Sequence, residues 1–377
     1  MCDEWGGEQG FAMKVDRYNF ASQFGDELHL ITEQISRMLV TGHYILTEEV
    51  SQFEAEFADY LGARHARGVN TGTDALTIAL LALGIEPGDE VITQANTFNA
   101  TITGVMRAGA NPVLVDADEA SFLIDESQVE TAIAARTRVI LPVHLYGKPT
   151  PLDRLLTLAQ KHDLHLVEDA AQAHGARIGG RRVGTFGAAG CFSFHPSKNL
   201  AAAGDAGAIV TNHDSVDGLI QRYRNLGQYD QNNHVVMGLN SKLDSIQALI
   251  LSRKLPNLDC WNARRRMVAG WYRERLSNLA LQFQSPDEEH VYHLFQIRVE
   301  KRDQLLEFLR SQGIDAVVRY PTPIHLQPAF ANCGWRKGQF PVAEKLANEL
   351  LCLPIRPDLS VSEVDFVADK VRMFYEG

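Results

Sequence analysis

Between residues 69 and 212, short and nearly all-apolar runs alternate with amphipathic stretches, and this alternation constrains the fold more than any other feature. The apolar runs read as strands at 90–93, 113–116, 138–144, 164–168, 190–194 and 206–211. Helical spacing fills the gaps at 73–83, 126–135 and 151–162, and a further helix leads to the turn Gly109-Ala110-Asn111-Pro112. Strands with no polar face are covered on both sides, which calls for a mostly parallel sheet between two layers of helices. Ligands in such sheets bind beyond the carboxyl ends of the strands. That rule places 96–98, Asp169 and Lys198 in the candidate site.

The flanks read differently. Residues 27–40 and 48–61 are helical in pattern. The second helix has Thr47 at its N-cap, Glu48 and Glu49 in its first turn, and Val50, Phe53, Phe57 and Leu61 on one face. After residue 240, helices at 243–255, 261–276, 302–312, 341–351 and 361–375 and a strand at 291–299 suggest a smaller α/β domain. The expected division is a large domain over 13–245, a small C-terminal domain over 246–377, and a flexible N-terminal extension over 1–12.

The chemistry concentrates in CFSFHPSKNLAAAGDAGAIVT, residues 191–211, where Lys198 stands among small residues just after a strand. Most lysines are solvated surface charges, so this one gains meaning only from its company. Glu168-Asp169-Ala170-Ala171-Gln172 follows another apolar strand. A carboxylate there is costly to bury unless it meets a cation or strong donors, although an N-cap role for Asp169 would also satisfy it. An Asp beside a pyridine nitrogen and a lysine amine are what a Schiff-base enzyme using pyridoxal phosphate (PLP) requires. Gln172 is placed to donate to a phenolate oxygen. Gly72-Thr73-Asp74 opens a helix whose free N–H groups suit a phosphate, or a plain cap. Phe98 can stack on a flat ring or fill core, and Ser193 can offer a hydroxyl to a phosphate.

Net charge is −11, which argues against nucleic-acid or anionic-membrane partners. Local cations for a small anionic substrate remain at Arg222, Arg224, Lys242 and Arg319. The five cysteines form no CxxC pair, so neither a metal site nor a disulfide framework is expected. No apolar run is long enough to span a membrane, and the N-terminus lacks the pattern of a secretory signal, so the expected compartment is the cytoplasm. A nicotinamide enzyme would need GxGxxG after a first strand. The cluster Gly179-Gly180 to Gly184 has the wrong spacing for it.

From about residue 35 to 375 the chain resembles the DegT/DnrJ/EryC1/StrS family of sugar aminotransferases. The matching segments are NTGTDAL, LGIEPGDEVITQANTF, RTRVILPVHLYG, VEDAAQAHGA, FSFHPSKNL with GDAGAIVTN, GLNSKLDSIQALIL and YPTPIHLQPAF. The resemblance implies the aspartate aminotransferase fold, with a seven-stranded, mostly parallel sheet, and PLP as cofactor. It implies that Lys198 carries PLP as a Schiff base and shuttles the proton, with Asp169 on the pyridine nitrogen, Gln172 on the phenolate oxygen and Phe98 on the ring. Gly72, Thr73 and Ser193 would hold the phosphate. Asn240 would reach the cofactor of a second subunit, which makes a homodimer the minimal active unit. His325 and Tyr320 would lie on the substrate side.

The implied reaction moves an amino group from an amino acid, glutamate first among candidates, to a keto sugar on a nucleoside diphosphate. VHLYG, AQAHGA and NSKLD look most like members acting on 3-keto sugars. Members acting on 4-keto sugars or forming aminocyclitols share most of these residues. Sugar dehydratases of the family carry histidine in place of the lysine, and a PLP-bound regulator would not need the whole constellation. Lys242 stands where the family commonly has arginine, Ser245 where it often has glutamate, and Ala201 and Ala206 where glycines are common. These departures bear on the sugar pocket rather than on PLP chemistry.

Overall fold

The computed structural model describes residues 13–376. Seven strands form the main sheet: β1 (His65–Val69), β2 (Glu90–Gln94), β3 (Asn111–Val115), β4 (Thr137–Ile140), β5 (His165–Asp169), β6 (Ala189–Ser193) and β7 (Gly207–Thr211). Their spatial order is β1-β7-β6-β5-β4-β2-β3. Pairings from β6 through β5, β4 and β2 to β3 are parallel, whereas β7 runs antiparallel to both β6 and β1. The mostly parallel sheet expected from the alternation is present, with one reversed strand.

Helices α1 (Leu28–Thr41) and α2 (Glu48–Leu61) precede the sheet. Helices α3 (Gly72–Ala82), α4 (Asn99–Arg107), α5 (Glu126–Ala132) and α6 (Asp153–Lys161) connect strands β1 to β5 in turn, and α7 (Asp214–Tyr223) follows β7. Helix α3 is buried almost all round, with Ala75, Ile78, Ala79 and Leu80 fully enclosed. The face of α2 read from its spacing is buried as expected, and Phe53 and Phe57 pack edge-on against Phe194 at the end of β6. Thr47 does stand at the start of α2, but its hydroxyl bonds Ser245 Oγ at 2.7 Å instead of capping a helix N–H.

Strand β1 escaped the apolar pattern because HARGV carries a charge in its middle. Arg67 is tolerated there because it pairs with Asp217 at 2.6 Å and Glu54 at 3.1 Å.

The remaining chain holds α8 (Ser245–Lys254), α9 (Leu258–Arg275), β8 (Gln282–Phe283), β9 (Phe295–Arg298), α10 (Arg302–Ser311), α11 (Pro341–Glu349), β10 (Leu350–Leu353) and α12 (Val361–Glu376). The three strands form an antiparallel sheet in chain order. It shares a core with α9, α10 and α12 built on Tyr272, Phe295, Ile297, Leu309, Leu351 and Val367. The expected strand 291–299 shortens to 295–298. The expected helix 341–351 stops at Glu349, and Leu350–Leu353 pairs with β9 instead. A run of four apolar residues reads alike in a buried helix and a buried strand.

Glu168 fastens this frame behind the site. It is fully buried and accepts N–H bonds from Gly184 (2.6 Å), Phe186 (2.7 Å) and Gly187 (2.9 Å). His144 Nδ1 accepts the Thr150 N–H at 2.9 Å, so its Nε2 carries the proton and donates to Glu168 at 3.1 Å. A carboxylate with this many donors holds β5 against the 184–187 turn one residue before Asp169. Glu168→Ala strands four buried donors and is expected to cost about 3 kcal/mol or more. Chemical denaturation should show this as a lowered midpoint at unchanged slope.

Candidate active site

The carboxyl ends of the parallel strands open into a cavity of about 390 Å³. Gly72, Thr73, Phe98, Asp169, Gln172, Ser193, Lys198 and Tyr320 all line it, although they come from five separate regions of the chain. The link from β6 to β7 (194–206) carries Lys198. The reversal of β7 therefore makes the lysine-bearing segment a long hairpin that arches over the strand ends.

One end of the cavity is a cradle. Thr71 caps α3, its Oγ1 accepting the Asp74 N–H at 3.0 Å, and the first N–H groups of the helix have no intrahelical acceptor. A Cβ on Gly72 would stand 2.6 Å from Ser193 Cβ, and one on Gly207 only 2.5 Å from the Thr71 carbonyl carbon. Both glycines are needed for the helix start and the β6 tip to meet. The result is a concave, hydroxyl-lined helix N-terminus of the kind that takes an anion.

Asp169 lines the same cavity and is 4 % exposed. Burial raises its carboxyl pKa above the ordinary range, and the hydrogen bond from Thr101 is the first of the contacts that oppose this. Thr101 Oγ1 donates to Oδ2 at 2.8 Å, and the Ala171 N–H reaches Oδ1 at 3.2 Å. Because the Thr101 proton is committed, the Thr97 hydroxyl 2.8 Å away donates to Thr101. No helix follows Asp169, so the N-cap alternative reduces to a local turn. The carboxylate is held, yet among the described residues it forms no ion pair of the kind that such burial calls for.

Gln172 is oriented by its neighbours. Its Oε1 accepts the Tyr146 N–H at 2.7 Å, and its Nε2 donates to the Tyr320 hydroxyl at 3.0 Å. Tyr320 stacks on Phe98 at 5.0 Å between centroids. Phe98 itself is 47 % exposed, so it is a wall of the cavity and not core.

Desolvation lowers the Lys198 pKa to about 8, with Arg319 adding to the shift and Asp169 opposing it. Arg319 lines the cavity, and its guanidinium makes no hydrogen bond or ion pair among the described residues. The other three cations considered for substrate binding have other contacts. Arg224 pairs with Glu54 in the core, Arg222 lies 4.9 Å over the Tyr229 ring, and Lys242 bonds the Asn240 side chain.

Two expected site residues lie outside the cavity. Asn240 is exposed, beside β-bridged Asn225. His325 has a fully buried side chain, bonded to Glu344 at 2.9 Å and edge-on to Phe340. Thr101 was not singled out from sequence. The available signal was the Thr97/Thr101 pair, one helical turn apart beside a strand end.

The fold is that of the PLP-dependent aminotransferases of the aspartate aminotransferase type. Residues 26–372 match the model of the DegT/DnrJ/EryC1/StrS aminotransferase family, and the chain belongs to that family. It is 45% identical over 355 residues to a dTDP-3-amino-3,4,6-trideoxy-alpha-D-glucose transaminase of Streptomyces venezuelae, covering 93% of this chain and 94% of that one. The solved structure of S. venezuelae DesV in complex with a ketimine intermediate superimposes with a TM-score of 0.94 at 42% identity, over 97% of this chain and 99% of that one. The structure of NtdA from Bacillus subtilis with bound cofactor PMP gives 0.91 at 31% identity, over 98% and 87%. No helix among the described residues is long and apolar enough to cross a membrane.

Lys198 should declare its lowered pKa chemically. In the cofactor-free protein, its reductive methylation should rise with pH through a midpoint near pH 8 and level off about one unit above it, because only the free amine reacts. Exposed lysines should continue to gain reactivity toward about pH 10. In Arg319→Leu the Lys198 plateau should move to higher pH, since a neighbouring cation is lost. Peptide mass spectrometry across a pH series reads both effects.

Proposed function

We propose that the protein is a PLP-dependent nucleotide-sugar aminotransferase that transfers an amino group from an amino acid, glutamate in the first instance, to C3 of a keto-6-deoxyhexose. The observation that carries this reading is the meeting of Lys198 and Asp169 in one cavity: an amine that can be free near neutral pH, and a buried carboxylate in want of a cation. The C3 preference is supported by the Streptomyces venezuelae relative, named for a 3-amino sugar. The lysine favours transfer over dehydration.

The residues fit the cofactor. The Gly72 helix start and Ser193 offer donors without a Cβ in the way, which suits a phosphate. Asp169 suits a protonated ring nitrogen, Gln172 Nε2 a phenolate oxygen, and the exposed Phe98 face a flat ring. Bound PLP supplies an electron sink for the carbanion formed at the substrate carbon. Asp169 would keep the ring nitrogen protonated, with Thr101 helping it to stay ionised. Lys198 would hold the cofactor covalently, and once displaced its free amine would take the proton from the substrate carbon and return it. Donor and acceptor meet the same lysine in turn, so the kinetics are ping-pong.

The reading includes a homodimer in the cytoplasm. Asn240 would contact the phosphate held by a second subunit, in keeping with its exposed position outside its own cavity. The nearby Met237, 94 % exposed, would be covered in the same assembly. A large unit (13–245) would supply Lys198 and Asp169, and a small one (246–377) Arg319 and Tyr320.

Incubation with glutamate should convert the bound cofactor to pyridoxamine phosphate, and Lys198→Ala should fall to the uncatalysed background while still folding. A panel of 3-keto and 4-keto nucleotide sugars offered to the aminated enzyme should give amination at C3. Exclusive 4-amination would overturn the positional assignment, and full transfer by Lys198→Ala would overturn the mechanism.

A further inference from the structure

A second cavity, of about 260 Å³, adjoins the first and shares Tyr18, Ser197 and Lys198 with it. Its walls include Arg17, Arg264, Arg265 and Arg356, with Trp261 on one side, and Asp358 is the only acid among them. Two of these arginines are balanced: Arg17 bonds Asp315 at 2.9 Å and Arg356 bonds Glu363. The other two are not. Arg264 donates to the Pro357 carbonyl at 3.2 Å and lies 5.9 Å over the Trp271 ring, and Arg265 donates to the carbonyls of Tyr292 (3.2 Å) and Ile355 (3.0 Å). Neither forms an ion pair among the described residues. Arg265 is 8 % exposed, and its Nε and the Arg17 Nη1 atom are buried without acceptors among the described residues, whereas Arg356 Nη1 lies 3.6 Å from Asp358. Buried guanidinium charge in this state calls for an anion.

The position of the cavity limits which anion would serve. Lys198 belongs to the walls of both cavities, and Arg319 lines the first with a guanidinium unpaired among the described residues. A monocarboxylic amino acid needs one such cation. Two cationic chambers meeting at one lysine suit a donor with a carboxylate at each end. We infer that the cavity walled by Arg17, Arg264, Arg265 and Arg356 seats one carboxylate of a dicarboxylic amino donor while its amino group lies at Lys198. The inference rests on the aminotransferase reading and adds the donor's binding site to it.

Trp261 provides a local reporter. Titration of the holoenzyme with 2-oxoglutarate should change tryptophan fluorescence, and Trp261→Phe should remove that change. Arg264→Gln keeps a donor for Pro357 and removes the charge. It is expected to raise the KM for glutamate about tenfold or more, the loss of one charge-assisted hydrogen bond. Its kcat with the keto sugar and its KM for alanine should stay as in the wild type. A glutamate KM within twofold of wild type in Arg264→Gln would overturn the inference. So would a signal that survives Trp261→Phe, or one that inorganic phosphate produces as readily as 2-oxoglutarate. If the wild-type holoenzyme accepts no amino group from any amino acid, the aminotransferase reading fails first and this site falls with it.

Discussion

The Asp169 carboxylate has been carried to the end of a central strand and nearly sealed from water, and much of the surrounding structure exists to keep it ionised there. Thr101 and the Ala171 N–H hold its oxygens, and Thr97 in turn fixes Thr101. One residue earlier, Glu168 spends four hydrogen bonds anchoring the strand from behind. Burial disfavours the charge on both partners of the site: it makes Asp169 a better acceptor of a proton and Lys198 a poorer holder of one. A cationic ring between them would relieve the first and use the second.

Reversal of β7 has a matching role in geometry. A parallel continuation after β6 would have needed a crossover of a dozen or more residues on a face of the sheet. The chain instead spends a comparable length on a loop above the strand ends, returning directly beside β6. That loop places Lys198 over the carboxylate of β5, the neighbouring strand. The crowded contact between Gly72, Ser193 and Gly207 lets the helix start approach the same hairpin.

Much of this was legible in the sequence. Apolar runs bounded by turns gave six of the main strands because burial on both faces leaves no room for polar residues. The strand-end rule then selected Asp169, Lys198 and Phe98 without any homology. The rest was hidden for identifiable reasons. Strand β1 contains a paired arginine, which a pattern of hydrophobicity counts against it. Leu350–Leu353 takes its conformation from a partner strand some fifty residues away. Thr101 looks like any helical threonine until the fold brings it to Asp169. His325 sits in a segment typical of the family, yet its ring is enclosed against Glu344 and Phe340. Family motif and local packing coincide at that position, and the sequence does not separate them.

The cradle at the helix start draws on Thr71 and Gly72, on Ser193 and Gly207, and on Ser241, whose hydroxyl bonds Asp74 at 2.7 Å in the first turn of the same helix. These groups are separated by well over a hundred positions along the chain. During synthesis, therefore, the early helix leaves the ribosome long before its counterparts exist, and loop-closure entropy must be met before any of the contacts form. An incomplete nascent chain has no chamber in which to shelter an aldehyde. A product truncated before Ser241 therefore lacks a complete cradle.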